Sequence, residues 1–127
     1  MPDNLLFEYA VIRVVPKVER EEFFNAGVIL YCAPRKFLQT KYEIKEHRLR
    51  AFCEELELGA LQENLSAFDR IALGVAGSGP IGRLSLPERF RWLTATRSTI
   101  VQASRVHPGL CTDPAEMLEH LFRKLVL

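Results

Sequence analysis

Two stretches near the start of the chain, Leu5 to Val15 and Phe24 to Cys32, are of strand length, rich in Phe, Tyr, Val and Ile, and apolar on both of their alternating faces. A strand that borders water shows it one polar face, so a strand with no polar face belongs in the middle of a sheet covered on both sides. The chain must therefore build a sheet as an inner layer. Pro16 ends the first run, and Ala33-Pro34-Arg35-Lys36 supplies a turn with Pro at its second position before a third strand from Phe37 to about Tyr42. This predicts a β-hairpin near the N-terminus.

The period then changes. Leu49, Phe52, Cys53 and Leu56 fall at i, i+3, i+4 and i+7, the spacing of one helix face, and Gly59 is expected to end that helix. Leu61, Leu65, Phe68 and Ala72 repeat the stripe up to the Gly-rich stretch from Gly74 to Gly82. Ile81 to Leu86 is expected as a short strand, Pro87-Glu88 as the first turn of a short helix carrying Phe90, Trp92 and Leu93, and Thr99 to Val106 as the last strand. His107-Pro108-Gly109 reads as a turn. Asp113-Pro114-Ala115-Glu116 gives an N-cap, a Pro at the first helical position and an early acid, leading into Leu118, Leu121, Phe122 and Leu125. Strands come early and do not alternate as βαβα, so the expected class is α+β: a mixed or antiparallel sheet of about four strands with helices packed on it.

With 127 residues, 48% apolar and 26% charged, the chain fits one domain with a real core. A formal charge of +1 gives no net field toward nucleic acid or membrane. Cys32, Cys53 and Cys111 are odd in number, widely spaced and without a CxxC pair, which suits reduced thiols in a cytoplasmic protein. Met1-Pro2-Asp3-Asn4 begins no secretory signal, and no run approaches the roughly 18 apolar residues of a membrane span. Neither export nor membrane insertion is expected.

Three stretches carry a resemblance: Tyr9 to Pro16 (YAVIRVVP) with Glu22 and Asn25-Ala26-Gly27-Val28, Gly79 to Leu93 (GPIGRLSLPERFRWL), and Ile100 to Gly109 (IVQASRVHPG). Together with Asp113-Pro114 and Leu121-Phe122, they resemble a bacterial domain-of-unknown-function family, number 3037. The resemblance implies no activity, substrate or cofactor; members of that family lie beside HipA-like kinase genes, a neighbourhood that hints at a protein partner of that kind. Function has to be argued from the residues.

Arg13, Glu22 and Asn25 interrupt two apolar strands. A charge inside a sheet must be paired or reach water, so one reading is a structural Arg13–Glu22 ion pair with Asn25 tying down the loop after Pro16. The other is an anion site in which Arg13 binds phosphate or carboxylate and Glu22 orients it or acts as a base. Arg83, Arg89, Arg91, Arg97 and Arg105 form a second candidate, a basic patch near Trp92 and His107; Glu88 is the only acid from Arg70 through Thr112. Such a patch is a solvated face or a track for a nucleic-acid backbone. The Gly-rich stretch ending Ser78-Gly79-Pro80-Ile81-Gly82-Arg83 matches neither the P-loop nor the dinucleotide fingerprint and reads as a connection. Ser98, Ser104, Cys111 and His107 are parts for nucleophilic chemistry without a motif, and His47 and His120 lack a second ligand one helical turn on, so neither a cofactor nor a metal is expected. Trp92 with Phe90 and Leu93, or the end Leu125-Val126-Leu127, could dock a partner or a second copy. The leading expectation is a non-catalytic accessory or protein-interaction domain; the alternative is an anion- or nucleic-acid-binding protein.

Overall fold

A computed structural model describes residues 4–54, 57–97 and 99–127. Leu56 and Ser98, the start at Met1 to Asp3, and the side chain of Phe52 lie outside the described residues. The elements run β1 (Leu5–Val14), β2 (Phe24–Cys32), β3 (Phe37–Tyr42), α1 (Glu46–Phe52), α2 (Leu58–Leu73), α3 (Leu86–Thr94), β4 (Val101–Ala103), β5 (His107–Cys111) and α4 (Pro114–Leu125). The class is α+β, as expected. The sheet is entirely antiparallel, with five strands in the order β3-β2-β1 and both β4 and β5 on the far edge of β1.

Both faces of β1 and β2 are covered. Ala10, Ile12 and Val14 of β1 and Ile29 of β2 pack with Leu49 of α1, Leu61, Leu65 and Phe68 of α2, and Phe90 and Leu93 of α3. On the other face Phe7, Val28, Leu30 and Cys32 pack with Leu118, Leu121 and Phe122 of α4. Ile12, Val14, Val28, Ile29 and Leu30 are completely buried; each such side chain contributes about 1.5–3 kcal/mol over an exposed one. The sheet is the inner layer that the doubly apolar strands demand.

One irregularity assigns residues to faces. Ile12 pairs with Gly27 but Arg13 pairs with Asn25, leaving Ala26 unmatched as a β-bulge. Beyond it the alternation of β2 switches: Phe24 and Ala26 join the α1–α3 side with Ile29, while Asn25 reaches α4. Gly27 lies so close to β3 that a Cβ there would sit 2.5 Å from the Lys41 carbonyl oxygen.

Four local expectations are corrected. Ile81–Arg83 is a single 3-10 turn rather than a strand: Pro80 enters with right-handed backbone, and the Arg83 N–H returns to the Pro80 carbonyl. Gly59 stands in the first turn of α2 instead of ending α1, because Cys53 already leaves the helix in extended conformation. The last strand is split: β4 stops at Ala103, and the Ser104 hydroxyl accepts the Val11 N–H at 2.8 Å, taking the place of a main-chain acceptor. His107-Pro108-Gly109 opens β5 opposite Tyr9, Glu8 and Phe7 rather than turning. Pro is tolerated on an edge strand, and Gly109 is required because a Cβ would meet the Phe7 ring at 2.5 Å.

Candidate functional site

Arg13 and Asn25 are cross-strand neighbours on the α4 face, but Glu22 does not join them. Its carboxylate pairs with Arg20 in the exposed turn before β2. The Arg13 guanidinium lies over the Phe23 ring, 4.0 Å from its centroid, and the Arg13 Nε is buried without a partner among the described residues. Asn25 Nδ2 donates to the Leu125 carbonyl at 2.9 Å and Arg48 donates to the Val126 carbonyl at 3.4 Å, so both satisfy acceptors at the C-terminal end of α4. The hollow beside them, lined by Phe24, Asn25, Glu43, Lys45, Arg48 and Val126, has a volume of about 10 Å³, no more than one water requires. It has no room for a phosphate.

The five arginines have different surroundings. Arg89 donates to the Leu84 carbonyl at 2.7 Å and to the Ala72 carbonyl at 3.5 Å, fastening the end of α2 to the start of α3. Arg83, Arg91 and Arg105 are exposed. Arg97 lines a groove.

That groove, of about 400 Å³, lies between α2, the end of α3 and the entry to β4. α2 offers Asn64, Ala67, Phe68 and Ile71, spaced i, i+3, i+4 and i+7 and hence on one helical face. α3 gives Trp92, which is 38% exposed. The chain then passes through Thr99, Ile100 and Val101, pinned where the Val15 N–H meets the Ile100 carbonyl at 2.7 Å. The Arg97 guanidinium lies 3.9 Å from the Trp92 ring centroid and donates to the Trp92 carbonyl. Burial pushes its pKa below the ordinary value, yet a guanidinium stays protonated at neutral pH. An apolar trough with one oriented cation can bind an apolar group that carries a negative charge beside it.

Trp92 and Arg97 are candidates from the sequence, whereas Asn64, Ala67, Ile71, Thr99, Ile100 and Val101 are not. Their signal is faint: Ile71 stands next to Ala72, widening the apolar stripe of α2 beyond what one sheet face needs.

The nucleophile candidates are differently engaged. Ser104 Oγ is held within the sheet and also donates to the Arg105 carbonyl at 2.9 Å. Cys111 is buried, and its thiol is pushed up by burial first and by neighbouring Cys32 second, which disfavours the reactive thiolate. His107 packs its ring 5.3 Å from that of Tyr9. His47 and His120 are exposed, and among the described residues no group of three His, Cys, Asp or Glu could hold a metal. Likewise among them, no helix is long and apolar enough to cross a membrane.

Compared with known proteins, residues 9–126 match a family model described as a protein of unknown function, DUF3037. No curated protein and no solved structure matches the chain.

Proposed function

Because this chain belongs to the DUF3037 family, which brings no reaction with it, we propose from its own surface that it is a non-catalytic accessory domain holding a protein partner in the groove between α2, α3 and β4. One observation carries the reading: Trp92, the only tryptophan, stands 38% exposed as a wall of an apolar groove and is held there by Arg97. Tryptophan and arginine around a concave apolar patch are the composition of interface hot spots. A bacterial cytoplasmic setting fits the three unpaired cysteines. A HipA-like kinase is the first partner to test, and a second copy of the chain the next.

The test is capture from native lysate, with and without nuclease, by the full chain and by Trp92→Ala. A stoichiometric protein retained after nuclease by the former and lost by the latter, with the variant still folding cooperatively, supports the reading; equal capture by both sinks it. A second reading, anion or nucleic-acid binding, is favoured by the fact that none of Arg83, Arg91, Arg97 and Arg105 makes an ion pair among the described residues. In it Arg13 adds a cation, while Glu22 and Asn25 have other partners. Nuclease-sensitive recovery, abolished by Arg91→Ala and falling steeply with salt, would establish that reading instead.

A further inference from the structure

The groove's volume of about 400 Å³ sits low in the range of roughly 300–1,000 Å³ typical of ligand clefts, enough for a few side chains and too little for a folded surface. Ala67, Phe68, Ile71, Ile100 and Val101 make its floor and sides apolar. Among the described residues, Arg97 is the only charged one lining it. That guanidinium is set in orientation by the Trp92 ring and carbonyl but has no carboxylate partner among the described residues. From Arg70 through Thr112 the sole acid is Glu88, which already accepts the Ser85 hydroxyl at 2.7 Å. A partly buried, oriented cation without a carboxylate partner, at the lip of an apolar trough, favours a negative group attached to an apolar one.

The strand beside the groove adds a direction. Among the described residues β4 pairs only with β1, and Val101 both lines the groove and starts that strand, its carbonyl accepting the Thr99 hydroxyl at 2.7 Å. An extended chain lying in the groove runs beside a strand that has a single neighbour, the setting in which peptides add to a sheet edge.

Resting on the assignment of the groove as a partner site, we propose that it recognises an extended peptide segment of the partner in which an apolar side chain enters between Ile71, Trp92 and Val101 and a nearby Asp or Glu carboxylate pairs with Arg97. The probe is a displayed library of random octapeptides, selected on the full chain after depletion on Trp92→Ala. Enriched peptides should carry an aromatic or branched apolar residue within two positions of an acid. Changing that acid to its amide should weaken binding at least about tenfold, as loss of a charge-assisted hydrogen bond implies. Arg97→Gln should bind acid and amide peptides equally, and Arg97→Lys should regain part of the difference; thermal melts identify any variant that has lost its fold. Peptides that depend on Trp92 but are indifferent to the acid overturn this inference and leave the groove as a partner site. A selection yielding no groove-dependent peptide overturns both.

Discussion

The two faces of the sheet are closed in different ways. On one, a single helix is fastened at both ends: Asp113 accepts the Ala115 and Glu116 N–H groups at 3.0 and 3.3 Å, Asn25 holds the Leu125 carbonyl, and Lys41 pairs with Glu119 midway. On the other, three helices cover the sheet, and none of the N-cap side chains of α1, α2 and α3 accepts a helix N–H. That layer is packed around Phe90, with Arg89 joining α2 to α3 and Thr40 donating to Asp69 of α2, and ends, near β4, in the groove. Two residues that carry the family likeness, Asn25 and Gly109, have capping or packing duties on the fastened face, and Gly27 lets β2 and β3 approach. A sequence signature made of such residues reports how the domain is built, and what it does has to be sought where packing is left incomplete.

The sharpest way to break this contrast is Phe90→Ala. If packing around Phe90 carries most of the three-helix layer, removing a side chain that is 1% exposed costs about 3–5 kcal/mol in urea unfolding; a loss under about 1 kcal/mol would show that layer to be held chiefly by its polar ties. Asp113→Ala should cost less, about 0.5–2 kcal/mol, since it removes one cap from an otherwise packed helix. Trp92→Ala should shift stability by only about 1 kcal/mol, the scale of the stacking it makes with Arg97, while abolishing partner capture. A large stability loss there would make the groove a part of the core. The smallest effect is titration on the fastened face. The Glu119 carboxyl is lowered below its ordinary 4.5, chiefly by its hydrogen bond to Lys41. A lowered folded-state pKa gives stability that is present above the ordinary value and lost as pH falls through the folded one. Lys41→Ala should therefore lower stability slightly above pH 4.5 and flatten the acid limb of a stability–pH curve, the two proteins converging at low pH where Glu119 is protonated in both.

Elements with their own period or caps were legible in the sequence: β1 to β3, the stripe of α2, and the Asp113-Pro114 start of α4. β5 was not, because His107-Pro108-Gly109 carries turn signals locally and becomes a strand only through β1 beside it and the Phe7 ring over Gly109. The proposed Arg13–Glu22 pair failed for a similar reason. Strand polarity places Arg13 near Asn25, but Arg20 lies only two residues from Glu22 and takes its carboxylate. The groove escaped because its walls come from residues 64–71, 92–97 and 99–101, and only the packing of α2 against the entry to β4 brings them together.

The unmatched Ala26 has a consequence of a different kind. It works like a frameshift in the code that assigns side chains to faces: downstream of it Ile29 and Tyr31 read toward the three helices, and upstream Phe24 does so only because one extra residue intervenes. A chain lacking that one residue would keep every hydrogen-bonding strand yet turn Asn25 away from Leu125 and send Phe24 to the opposite side. The segment from Phe24 to Gly27 thus fixes a count as well as a composition, and a single deletion there would do more damage than most substitutions.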